Sequence, residues 1–210
     1  ARRIFKTVTM WIYFFSYFSV AAILAYLLTP IVRRLAALWG MVDVPNDRKP
    51  HGIAVPTMGG LAMYLAFFGA LAAASMGYLI LKQEPLLPHF KFSHLVFGAT
   101  PLVLIGMIDD RFRINYKWKL AVQIGVAILM IRWGYEIYGI TNPLNGETVP
   151  LGFWGRGVTV LWFLFIINAI NFMDGIDGLA AGVSLIALIT IFVVSLYLGN
   201  VQVAVLAALL

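Results

Sequence analysis

The chain reads as a series of long apolar runs separated by short polar segments. Val8 to Leu28 carries no charge and is as long as the roughly 20 residues a helix needs to cross a hydrocarbon layer about 30 Å thick. Similar runs follow over Thr57 to Leu81, Phe92 to Ile108, Leu120 to Ile131, Val158 to Phe172 and Leu179 to Leu198, with Leu120 to Ile131 the shortest. Another begins near Val201 and is still apolar at Leu210 without a closing polar flank, so the chain is expected to continue. The runs exceed the roughly 9 to 11 residues of a membrane β-strand and lack inside–outside alternation, which predicts helices. The pattern therefore predicts an all-α, polytopic membrane bundle with six full transmembrane helices and the start of a seventh. No hydrophilic block is large enough for a soluble domain, so residues 1–210 read as a single integral-membrane domain, truncated at its C-terminus.

Composition sharpens this picture. Hydrophobic residues make up 62% of the chain and charged residues 11%, far from the roughly quarter charged of a soluble domain. The absence of cysteine excludes disulfides, thiolate metal sites and cysteine nucleophiles. The formal charge of +6 comes from basic residues in short loops, which points to orientation in a bilayer rather than to nucleic acid. The first run is too long for the apolar core of a signal peptide, and Thr29-Pro30 followed by Arg33 and Arg34 is not a small-residue cleavage site. The longest polar loops are Thr29 to Pro56 and Trp133 to Gly157. The second, with Thr141-Asn142-Pro143 and Asn145-Gly146, predicts a turn or short hairpin.

The acidic residues are sorted. If six helices alternate across the membrane, Asp43, Asp47, Asp109, Asp110, Asp174 and Asp177 all fall on one side and Glu84, Glu136 and Glu147 on the other. Four of the aspartates lie at the ends of apolar runs, where an unpaired buried carboxylate costs several kcal/mol. A divalent cation facing phosphates offsets such a cost, and hard oxygen ligands select Mg²⁺ or Mn²⁺ over zinc. For Asp109-Asp110 alone, a solvated helix end beside Arg111 and Arg113 is the plainer alternative.

Met173-Asp174-Gly175-Ile176-Asp177-Gly178 interrupts what would otherwise be one apolar stretch. With Asn168 and Asn171 upstream, polar groups recur every three residues, a slowly drifting helix face directed at one pocket. Asn168 reads first as an interhelical hydrogen bond, whereas Asn171 divides evenly between that role and the pocket. On the aspartate side, Lys49 and His51 precede Pro56-Thr57-Met58-Gly59-Gly60, which opens a helix with glycines and offers backbone N–H groups to an anion. Lys117 and Lys119 follow the Asp pair. Arg33 and Arg34 read as topological anchors, and His89 and His94, on the opposite side, as structural.

Four motifs in order carry a resemblance: Val42 to His51, Pro56-Thr57-Met58-Gly59-Gly60, Gly106-Met107-Ile108-Asp109-Asp110, and Asn168 to Leu179. Together they resemble the polyprenyl-phosphate N-acetylhexosamine-1-phosphate transferases of glycosyltransferase family four, over their N-terminal portion. The resemblance implies ten or eleven transmembrane helices in a full protein, a multi-pass location in the cell's inner membrane, and an active site facing the cytoplasm. It implies Mg²⁺-dependent transfer of a sugar 1-phosphate, GlcNAc-1-phosphate first, from a UDP-N-acetylhexosamine to undecaprenyl phosphate, releasing UMP and starting a teichoic acid, O-antigen or related polymer. The phospho-MurNAc-pentapeptide transferase of peptidoglycan synthesis is the neighbouring activity. By the same resemblance, Asp177 and Asp174 are metal ligands, with Mn²⁺ as the alternative ion. Asp109 and Asp110 form the catalytic pair, and Asn171, Asp174, Lys49, His51, Thr57, Lys117 and Lys119 bind substrate. The implied partners are the two substrates and the lipid bilayer, with a homodimer as a further expectation. Later motifs, among them a further metal-binding aspartate and a His-rich loop, fall outside these residues, so this stretch alone is expected to be inactive. The rival classes are an ion-coupled transporter, which would hold its carboxylates near mid-membrane, and an inactive scaffold subunit.

Overall fold

The computed structural model describes residues 2–43, 55–81, 91–175 and 178–210. In chain order these form α1 (Arg2–Leu38), β1 (Val42–Asp43), β2 (Val55–Pro56), α2 (Gly59–Leu81), α3 (Phe92–Phe112), α4 (Tyr116–Arg132), β3 (Gly139–Thr141), β4 (Thr148–Pro150), α5 (Trp154–Met173), α6 (Leu179–Tyr197) and α7 (Val201–Leu209). Apart from two short hairpin ladders the architecture is helical, as the apolar runs predict. Large apolar side chains such as Phe15, Phe172 and Ile186 stand exposed on the helices. A lipid environment accommodates such surfaces and water does not.

Two expectations need correction. Five helices among the described residues are long and apolar enough to cross a bilayer, through Trp11–Leu38, Gly59–Met76, Phe92–Phe112, Trp154–Met173 and Leu179–Tyr197, rather than six. The helix that falls short is α4, with 17 residues. Lys119 and Arg132 bracket its uncharged middle, which rises only about 18 Å. Conversely, α1 does not stop near Leu28 but runs through Pro30 to Leu38. An interior proline costs a helix about 3 kcal/mol. Here the Thr29 hydroxyl donates to the Ala25 carbonyl at 2.6 Å, and Val32 and Ala36 beyond the proline are buried, so packing outweighs the local cost.

The chain divides into two compact units, residues 1–90 with 182–210, and residues 91–181. In the first, α2 presents Ala62, Ala66 and Ala70, four residues apart and all buried, and α1 packs along this helix. Small side chains at that spacing let two helix backbones approach closely. A Cβ added at Gly69 would stand 3.2 Å from Leu24 Cδ1. Ala204, Val205 and Leu209 of α7 are buried as it packs on α1 and α2, and Phe192 of α6 meets Phe14 edge to face at 5.2 Å. Two-residue strands β1 and β2 pair Val42 with Pro56 and Asp43 with Val55.

In the second unit α4 is the central helix, packed on α3 and on α5. Its buried residues Gln123, Val126, Ala127 and Met130 follow three- and four-residue spacing along one face. Gly98 of α3 lets Met130 approach, its sulfur lying 3.1 Å from where a Cβ would sit. Strands β3 and β4 pair antiparallel, with Thr141 opposite Thr148, and form the predicted hairpin. The Asn142 side chain accepts from Leu144 N at 2.9 Å, and Gly146 takes φ 73°. A buried tie anchors this segment to α5: Thr159 Oγ1 donates to Gly155 O at 2.7 Å and accepts from Ile137 N at 2.9 Å. His94 stacks on Trp133 at 4.2 Å, which fits its structural reading.

Candidate active site

Asp109 and Asp110 occupy the last turn of α3. The helix ends at Arg113, whose φ of 49° and ψ of 60° lie in the left-handed region, and its N–H returns to Asp109 O at 2.7 Å. Glycine ordinarily fills such a cap. Asn115 then starts α4, its Oδ1 accepting from Lys117 N at 3.0 Å. This short turn sets the first turn of α4 against the last turn of α3, where Lys119 Nζ donates to Asp109 Oδ2 at 2.7 Å. The two side chains are 29% and 26% exposed. Lys117 is exposed.

Helix stability would not choose these positions. A carboxylate at a helix C-terminus and an ammonium at an N-terminus each oppose the local dipole, at about 0.3–1 kcal/mol apiece. Asp109 and Asp110 stand at the wrong end of α3, and Lys117 and Lys119 at the wrong end of α4. The Asp109–Lys119 pair offsets part of that cost.

Asp174 caps α5, its N–H bonded to Ile170 O at 3.0 Å and its side chain exposed. Asn171, one turn earlier, is exposed as well. One turn before that, Asn168 Nδ2 donates to Leu164 O and to Gln123 Oε1 of α4, both at 2.8 Å. The interhelical role expected for Asn168 is thus observed. Arg156 at the start of α5 lies 3.6 Å from Glu136, just beyond the end of α4, so α4 and α5 run antiparallel. From the Gln123–Asn168 bond, Lys119 lies about 6 Å along α4 and Asp174 about 9 Å along α5 in the same direction. Asp109, Lys119, Asn171 and Asp174 therefore share one end of the unit.

Thr57 lies in the other unit, just before α2, which opens with Gly59 and Gly60 as predicted. Its N–H and its hydroxyl both donate to Met41 O, at 3.1 and 3.2 Å, which extends the β1–β2 contact by one more tie between the two strands' ends. Lys49, His51 and Asp177 lie outside the described residues. Among the described residues no three acidic or histidine side chains gather to hold a metal. The oxygen donors at the end of α5, the Asp174 carboxylate and the Asn171 amide, do suit Mg²⁺, and the helix C-terminus favours a cation.

Sequence reasoning missed Gln123 and Asn115. The signal for Gln123 was present, since it is the only polar side chain between Lys119 and Arg132 and stands one helical turn after Lys119.

The segment from Phe92 onward, which holds this site, matches glycosyl transferase family 4 over residues 92–210. The chain belongs to that family. A probable undecaprenyl-phosphate N-acetylglucosaminyl 1-phosphate transferase of Bacillus subtilis is 35% identical over 184 residues, covering 88% of this chain and 49% of its own length. A decaprenyl-phosphate N-acetylglucosaminephosphotransferase of Mycolicibacterium smegmatis is 37% identical over 182 residues, 83% of this chain and 43% of its own. The undecaprenyl-phosphate alpha-N-acetylglucosaminyl 1-phosphate transferase of Escherichia coli is 30% identical over 174 residues, 82% of this chain and 44% of its own. The chain thus spans about half the length of the curated relatives it matches. No solved structure matches it.

Proposed function

We propose that the full-length protein is a membrane phosphotransferase that moves GlcNAc 1-phosphate from UDP-GlcNAc to undecaprenyl phosphate. The reaction depends on Mg²⁺, runs at the cytoplasmic membrane face, releases UMP and starts a cell-envelope polymer. The observation that carries this reading is the Asp109–Lys119 pair at the same helix-bundle end as Asn171 and Asp174. A cation, a carboxylate pair and exposed oxygen donors stand at that one end of the apolar helices, which suits two anionic substrates arriving at a membrane surface. The names of the relatives above supply the polyprenyl phosphate and the N-acetylglucosaminyl 1-phosphate. A transporter is less well supported, because the carboxylates of α3 and α5 stand at helix ends rather than in mid-span.

In this reading an oxygen of the lipid phosphate attacks the β-phosphorus of UDP-GlcNAc, the bond to the bridging oxygen breaks, and UMP leaves with that oxygen. The second pKa of a phosphate monoester is about 6, so the attacking group is largely dianionic at neutral pH and needs little help in losing a proton. Asp109 then acts through Lys119: it holds the ammonium 2.7 Å away until the lipid phosphate competes for it. Asp110 completes the catalytic pair, and Lys117, Lys49 and His51 serve the anions. Asn171 and Asp174 line the nucleotide end. Mg²⁺, or Mn²⁺ in its place, would be held by Asp174 and Asp177 and would neutralise the pyrophosphate charge. Positioning and electrostatics supply most of the acceleration.

The test is a transfer assay on full-length protein in detergent with Mg²⁺, undecaprenyl phosphate and radiolabelled UDP-GlcNAc. UMP release matched by butanol-soluble label is expected, with no transfer from UDP-MurNAc-pentapeptide. Label that never enters the lipid fraction, or enters it only from the pentapeptide donor, overturns the assignment.

A further inference from the structure

The mechanism above leaves Gln123, a buried polar group in the second unit, unused. Gln123 is 6% exposed in the middle of α4, surrounded along its face by Val126, Ala127 and Met130. A side-chain amide in such surroundings costs several kcal/mol unless its hydrogen bonds are made. Its oxygen accepts from Asn168 at 2.8 Å.

The bond is locked from the far side. Asn168 Nδ2 also donates to Leu164 O, and a backbone carbonyl can only accept, so the nitrogen of Asn168 is fixed toward α5's own backbone and Gln123 must present oxygen. Both N–H groups of that amide are committed, one within α5 and one across to α4. The contact therefore behaves as a strut rather than as loose interhelical packing.

What the strut joins is specific. On α4, Lys119 is one turn away on the same face and is bonded to Asp109 of α3. On α5, Asn171 and Asp174 follow Asn168 at successive three-residue steps in the same direction. One side of the strut thus carries the groups assigned to the lipid phosphate, and the other those assigned to the nucleotide and metal. Sliding α5 by one residue would shift Asp174 about 1.5 Å along the axis and rotate it by about 100°. Misplacement of about 1 Å between reacting groups can cost on the order of 100-fold in rate.

We infer that Gln123 and Asn168 are positioning residues, which hold the α3–α4 phosphate-binding groups and the α5 nucleotide-binding groups in the register needed for in-line transfer. The inference rests on the transferase reading above, and its signature is kinetic. Each half-site remains intact when the strut is cut, so both KM values should hold while the turnover of correctly folded molecules falls.

The experiment compares full-length wild type with Gln123→Leu, Gln123→Asn, Asn168→Gln and the double exchange Gln123→Asn/Asn168→Gln. Turnover is expressed per UMP-binding site, measured by titration with UMP and Mg²⁺. The three single variants should keep UMP stoichiometry and both KM values within about threefold, and lose roughly 10- to 100-fold in kcat per site. The double exchange conserves the summed side-chain length and should recover most of the loss. Reduced UMP stoichiometry with unchanged kcat per site would show a role in folding alone and overturn the inference. A raised KM for one substrate would show direct contact with it and do the same, as would single variants indistinguishable from wild type. If wild type itself neither binds UMP nor turns over, it is the transferase reading that has failed.

Discussion

Lys119 Nζ lies 2.7 Å from Asp109 Oδ2, across the turn that joins the C-terminal end of α3 to the N-terminal end of α4. Both partners are more than a quarter exposed, so the pair is worth only about 1 kcal/mol or less to stability. Its effect on activity should be much larger. Lys119→Met is expected to lower kcat/KM for undecaprenyl phosphate by about 100-fold or more, the usual scale for removing one electrostatic contact from a reacting centre, while the melting temperature moves by only a few degrees. Lys119→Arg should recover part of the loss, limited by the different donor geometry. Because the two residues touch, Asp109→Asn and Lys119→Met should combine less than additively in steady-state assays. Additive losses would mean that they act separately.

Under the proposed function, metal dependence should separate the two acids Asp174 and Asp177 from Asp109. Excess EDTA should abolish UMP release, and Mg²⁺ or Mn²⁺ should restore it. Asp177→Asn is expected to lose nearly all activity, and Asp174→Asn to raise the Mg²⁺ concentration needed for half-maximal rate. Turnover that persists in excess chelator contradicts the metal assignment.

Thr57 offers a milder test. Its hydroxyl shares the Met41 carbonyl with its own backbone N–H, so Thr57→Val leaves that acceptor satisfied and should cost about 1 kcal/mol in stability. Activity within about fivefold of wild type would fit a residue that only ties the start of α2 to Met41. A loss of two orders of magnitude at unchanged stability would instead assign the hydroxyl to substrate.

Two glycines of the second unit should respond differently to alanine. A Cβ at Gly155 would meet the backbone oxygen of Ile137 at 2.5 Å, which cannot yield without moving the segment that Thr159 ties down. At Gly98 the nearest atom is the sulfur of Met130 at 3.1 Å, the end of a flexible side chain. Gly155→Ala is expected to destabilise by about 1–3 kcal/mol and Gly98→Ala by less than about 1 kcal/mol, read from thermal unfolding in detergent. Equal shifts would show that the Ile137 segment gives way as easily as the Met130 side chain.

Much of the architecture was legible from residue order alone. Uncharged stretches such as Val8 to Leu28 must satisfy every backbone N–H and C=O within themselves in lipid, and a helix is the local way to do so. The hairpin was legible at Asn142 and Asn145-Gly146, whose turn preferences are equally local. The grouping of aspartates at helix ends, rather than in their middles, followed from where the apolar runs stop.

Other features depended on neighbours that no local pattern names. Pro30 reads as a stop, yet α1 passes through it because Val32 and Ala36 are buried beyond it. Leu120 to Ile131 reads as a span, yet α4 falls short of the spanning length, and α3 and α5 pack against it. In sequence Lys119 reads as one anion-binding candidate among several, and the α3–α4 turn singles it out by bringing it to Asp109; Gln123 reads as a lone polar residue, and α5 supplies its partner Asn168. Residue order determined which segments enter the membrane and which ends carry charge, because desolvation acts on each stretch by itself. Tertiary structure decided which charges and amides meet, because a hydrogen bond needs its partner within about 3 Å and only packing sets that distance.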